Sequence, residues 1–116
     1  MLLGDFDVRW GQEAADRLIE GGWRRGTLVA AADVIALGLL SRLQFRGFRV
    51  PEDFRVIGFD GVGVTPLAHP ALTTIRQPVE AMAQAILDLL SAGNRAERTD
   101  VRLAPTLVVG PSSPAA

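Results

Sequence analysis

Short apolar runs alternate with longer amphipathic ones along this chain, the pattern of strands and helices taking turns in an α/β sheet. Asp7 is placed to cap a helix that reaches Glu20, with Trp10, Ala14, Leu18 and Ile19 on one face and Glu13 and Arg17 paired at i,i+4 outside. Gly21-Gly22 ends it. Thr27 to Ala32 is apolar without alternation, which predicts a strand buried on both faces. Asp33 is then expected to cap a second helix, in which Ile35, Leu39 and Leu43 recur at i+4 and Gly47 takes the position just past the end. Arg49 to Asp53 carries turn chemistry ahead of a strand from Phe54 to Phe59, with Asp60 at its end. Gly61 to Pro70 is irregular and leads to a short strand, Leu72 to Ile75. Pro78 suits the first position of a third helix, whose apolar stripe of Val79, Met82, Ala83, Ile86 and Leu90 runs to Gly93. Arg95 to Asp100 reads as a polar link, Val101 to Val109 as an extended segment broken at Pro105, and residues 111–116 as a loose tail.

Composition narrows the classes this pattern can serve. With 48% hydrophobic and 22% charged residues, the 116-residue chain has the balance of an ordinary folded domain. Its length allows one unit that buries about two-thirds of the surface exposed on unfolding, without help from disulfides or a metal. Cysteine is absent, which removes disulfides, thiolate metal sites and a cysteine nucleophile. All 12 Lys+Arg positions are Arg, so a Schiff-base lysine, a P-loop lysine and a lysine general base are excluded. The net charge of −1 provides no basic field for a polyanion, and direct DNA contact by these residues is not expected. The longest apolar stretch, Leu28 to Leu40, is broken by Asp33 and falls short of the roughly 20 residues that cross a bilayer. The first seven residues lack the basic and apolar regions of a secretory leader, so the cytoplasm is the expected compartment and no membrane partner is expected.

Two carboxylates, Asp33 and Asp60, fall at the C-terminal ends of strands expected to be parallel neighbours. In open α/β sheets that edge binds ligands. As functional groups they are acceptors for a small polar ligand or ligands for Mg²⁺; as structural groups Asp33 is a helix cap and Asp60 a turn residue. The run Gly58 to Gly63 lacks the spacing of a dinucleotide loop and is followed by no lysine. His69, the lone histidine, has neither a cysteine nor a serine elbow to serve. No catalytic residue, cofactor or metal site is expected, and an Mg²⁺-dependent phosphoryl-transfer enzyme built on the two acids would lack the usual lysine partner.

The words GDFDVRWGQEAADRLI, TLVAAADVIALGLLSRLQFRGFRVPEDFRVIGFDG, HPALTTIRQPVEAMAQAILDLL and RLAPTLVVG, in this order, resemble the carboxyl-terminal half of LacI/GalR-type bacterial transcriptional regulators over residues 4–110. The resemblance implies an α/β fold of the periplasmic-binding-protein-like type I class, doubly wound with a mostly parallel sheet and helices on both faces, and incomplete here. It assigns residues 1–110 to the C-terminal portion of a two-lobed effector-binding domain: 1–72 in the second lobe, 73–100 returning to the first, 101–110 back in the second. A strand over Met1 to Asp5 and one over Thr27 to Ala32 would flank the place of a missing central strand. The third helix would then pack on the other lobe, leaving its stripe exposed here.

In function the resemblance implies sensing of a small-molecule effector, a sugar or related metabolite, by a homodimer. It implies operator DNA contact only through a helix-turn-helix missing from this chain, and no catalysis. Phe6 matches the aromatic that packs on the effector, and Asp60 the carboxylate that accepts its hydrogen bonds. Asp33 matches the acid of the family's Asn-Asp pair, and Gln77 a polar residue near the crossover between lobes. Ala32 stands where the family commonly has Asn, which favours a smaller or less polar ligand, and Trp10 replaces a usually small residue. A solute-binding protein of the same fold is the alternative.

Overall fold

The computed structural model describes residues 1–63, 65–93 and 100–115, which form a four-stranded sheet with three helices. Helix α1 is Val8–Glu20, strand β1 Gly26–Val29, helix α2 Asp33–Phe45 and strand β2 Phe54–Asp60. Strand β3, Thr73–Arg76, helix α3, Val79–Ala92, and strand β4, Thr106–Val108, complete it. The strand order is β1-β2-β3-β4, with the first two pairings parallel and the last antiparallel. This is the mixed α/β sheet with helices that the sequence pattern predicts. Most of the expected polar link, Arg95 to Asp100, lies outside the described residues.

Asp7 caps α1 as expected, accepting the Trp10 amide at 2.7 Å. Glu13 pairs with Arg9 rather than Arg17, at 3.1 Å, because the Arg17 guanidinium lies over the Trp10 ring, 5.0 Å from its centroid. α1 and α2 approach closely through two glycines: a Cβ on Gly11 would run into the Ile35 carbonyl, and one on Gly38 into the Val8 carbonyl. Arg46, the C-cap of α2, closes the same interface on Asp16 at 2.6 Å. Beneath, α2 lays Leu39, Leu40 and Leu43 on Phe54 and Val56 of β2, and these residues form one buried cluster with Trp10, Ala15 and Ile19.

Three expectations change. The first apolar run forms a strand only over Gly26–Val29, and its residues alternate between half-buried and exposed. β1 is a sheet edge, and Val29 is 72% exposed. Met1 to Asp5 forms no strand; these residues are exposed. The tail is not loose. Ser112 is fully buried, its hydroxyl donates to the Val56 carbonyl at 2.6 Å and accepts the Thr73 amide at 2.8 Å, and its own amide donates to Ala71 at 3.0 Å. A serine in a Pro-Ser-Ser-Pro run gives no periodic signal, so only the fold reveals this pin between β2 and β3.

α3 has Pro78 at its N-cap, one place earlier than the sequence suggests, and Gly93 at its C-cap. None of its residues is buried, and Val79, Ile86, Leu87 and Leu90 are all more than half exposed. The Cα radius of gyration is accordingly 17.4 Å, against about 13 Å for a close-packed domain of this length.

Ser112→Ala would leave the buried Thr73 amide without its acceptor and is expected to cost about 1–3 kcal/mol in urea denaturation; an unchanged midpoint would contradict the pin. The Asp53 carboxylate, bonded by the Arg49 guanidinium and backbone amide, is held at about 2, below its ordinary 3.8. The stability this contact gives is therefore complete above the ordinary carboxylate range and is lost as pH falls toward 2. A carboxyl-detected NMR titration should find the Asp53 midpoint near 2; a midpoint close to 4, the unperturbed range, would rule the contact out.

Candidate functional site

β2 and β3 run parallel, with Asp60 opposite Arg76 in register, so their C-terminal ends deliver Asp60, Gly61, Arg76 and Gln77 to one edge. There they line a cavity of about 530 Å³, closed on its far side by the first turn of α3 from Pro78 to Ala81. Gln77 donates its side-chain amide to Asp60 Oδ1 at 2.7 Å and its backbone amide to the Asp60 carbonyl at 3.3 Å. Among the described residues Asp60 Oδ2 accepts no hydrogen bond, which leaves it for a donor from outside.

The turn after Asp60 is tightly specified. Asp60 itself has φ 120°, a conformation that L-residues rarely hold and that costs of order 1–3 kcal/mol. Gly61 follows at φ 73°, and a Cβ there would meet Arg76 at 2.8 Å, so both backbone shape and space require glycine.

The other expected site residues fall elsewhere. Asp33 is fully buried, and as the first residue of α2 it does not cap the helix; the N-cap position is Ala32, whose side chain makes no bond. The Asp33 carboxylate accepts the Val62 amide at 2.8 Å on one oxygen and the Thr74 hydroxyl at 2.6 Å on the other. Both oxygens thus have protein donors, and among the described residues no group of three His, Cys, Asp or Glu side chains could hold a metal. Phe6, 66% exposed, lines a second cavity of about 600 Å³ with Trp10, Trp23 and the edge of β1. Sequence reasoning missed Arg76, Thr74 and the Val62 amide. Arg76 and Thr74 sit in the TTIRQP word and were open to notice as polar residues in a short apolar strand; the Val62 amide leaves no trace in a sequence.

Residues 6–113 match the periplasmic binding protein-like domain family. The chain belongs to it. Relatives and solved structures it is similar to include HTH-type and LacI-type transcriptional regulators. An uncharacterised HTH-type transcriptional regulator of Streptomyces limosus is 40% identical over 107 residues, which are 90% of this chain and 30% of that protein. The lac repressor dimer bound to operator and the anti-inducer ONPF superposes with a TM-score of 0.88 at 25% identity, over 97% of this chain and 40% of that one. The complex of the regulator CelR with cellobiose gives a TM-score of 0.87 at 33% identity, over 95% of this chain and 35% of that one. The chain thus spans between about a quarter and a third of the length of the curated relatives it matches. No helix among the described residues of this periplasmic binding protein-like domain is long and apolar enough to cross a membrane.

Gly61→Val is expected to destabilise the domain by about 1–3 kcal/mol, since the left-handed turn and the Arg76 backbone both resist the side chain. A urea midpoint equal to wild type would show that the turn is free to move.

Proposed function

We propose that this chain is the effector-sensing and dimerising part of a LacI-type DNA-binding transcriptional regulator. The effector is a sugar or related small metabolite, and operator DNA is contacted through a helix-turn-helix outside these residues. The observation that carries this reading is the Asp60–Gln77 pair at the C-terminal edge of two parallel strands, facing a cavity of about 530 Å³. A carboxylate there gives hydroxyl or ring N–H donors a strong, direction-fixing bond, and Gln77 fixes the carboxylate's orientation. Phe6 supplies an aromatic face from the neighbouring cavity, which an apolar sugar face would cover as two lobes close. The CelR complex with cellobiose supports a saccharide-type ligand, and the operator-bound lac repressor supports a dimer acting on DNA. Such a regulator works in the cytoplasm, where its operator is.

Reading the genomic sequence upstream of Met1 in frame tests the regulator itself. Helix-turn-helix codons are expected; a secretory leader there would instead make the protein a solute-binding protein. In the intact product Asp60→Ala should abolish effector response in a reporter assay while operator binding persists, and Phe6→Ala should weaken effector binding by about 1–3 kcal/mol through lost stacking area. Wild-type induction by both variants would overturn the site.

A further inference from the structure

We propose that Asp33 is a positioning residue for the Asp60–Gln77 site, holding in place the loop and the strand that carry those two groups. The inference rests on the reading of Asp60 and Gln77 as the ligand-facing pair. Asp33 itself lies below the cavity and lines no part of it. Its two oxygens go to two different elements: the Val62 amide, two residues beyond Asp60, and the Thr74 hydroxyl, three residues before Gln77. One carboxylate therefore ties the turn that follows β2 to the first half of β3, the strand that runs on to Gln77.

The local sequence is arranged around this contact. Thr74 sits opposite Gly58 in the β2–β3 register, and a Cβ on Gly58 would collide with Asp33 Oδ1, so the glycine provides the space the carboxylate occupies. Asp33 has no cationic partner among the described ion pairs. Two hydrogen bonds and the positive end of α2 compensate its burial. Starting the helix does not need it, since α2 begins without a side-chain cap. What does need a fixed neighbour is Asp60: a residue at φ 120° persists only where the surroundings over-determine it. Gln77 holds Asp60 on the cavity side, and Asp33 holds the following turn from the buried side.

The test uses this chain, labelled with ¹⁵N and without ligand. Thr74→Val removes the hydroxyl while keeping the shape, Thr74→Ser keeps the hydroxyl, and Asp33→Asn presents an amide hydrogen to one of the two donors. In Thr74→Val and Asp33→Asn the Gln77 side-chain amide resonances should move toward the free-glutamine position. In Asp33→Asn, exchange of the Val62 amide should also quicken about tenfold or more, as expected for loss of a bond to a charged acceptor. Thr74→Ser should retain both wild-type signatures. Cooperatively melting Thr74→Val protein with wild-type Gln77 side-chain signals would overturn the proposal, and this variant decides even where Asp33→Asn does not fold. Failure of the effector reading would show separately, as an Asp60→Ala regulator that still responds to effector while these resonances behave as described.

Discussion

A carboxylate placed where water cannot reach it must be given donors, and at Asp33 those donors come from the two segments that shape the ligand edge. The remainder of the architecture can be read outward from that demand. Gly58 leaves the room, Thr74 turns its hydroxyl inward from a strand position that an apolar residue would fill more cheaply, and α2 points its positive end at the charge. The α1–α2 pair then holds the start of α2 firm, because two glycines let the helices meet backbone to backbone. Replacing the charge by a hydrocarbon would simplify the core; keeping it ties the helix layer to the site.

The helices were legible in the sequence because their signals are local. A capping Asp7, an i+4 ladder and a terminal glycine are all written within one segment, and each element appears within a residue or so of its expected place. In the β1 run, absence of alternation predicts burial on both sides, whereas position in the sheet decides exposure and that is not a local property. Asp33 shows the same limit in side-chain form. Its place at the start of an apolar helix is that of a cap, but its actual partners are 29 and 41 residues away. Ser112 is the extreme case, bonded across 39 and 56 residues from a segment with no pattern at all. Asp60 and Gln77 were found through family likeness and strand-end reasoning; that they bond each other is a fact of register, set by the parallel pairing of β2 with β3.

The distribution of apolar surface separates two regions of different character. Around α1, α2 and β2 the hydrophobic residues enclose one another. On α3 and along the free edge of β1 they do not, and Leu90 and Val29 are each 72% exposed. Exposed apolar area of this extent is uncommon on a self-sufficient monomer. The chain spans only between about a quarter and a third of the length of the curated regulators it matches.

The backbone of Asp60 has a further consequence for how the site can change over time. With φ at 120° the backbone of Asp60 is set when the chain folds, and the Gln77 amide fixes its carboxylate, so the direction of the acceptor is set in advance. The same conformation restricts what can replace it, since residues with side chains rarely hold a positive φ, and Asn, Asp and His are the ones enriched there. The residues around the cavity are therefore free to vary, while position 60 stays confined to a very short alphabet.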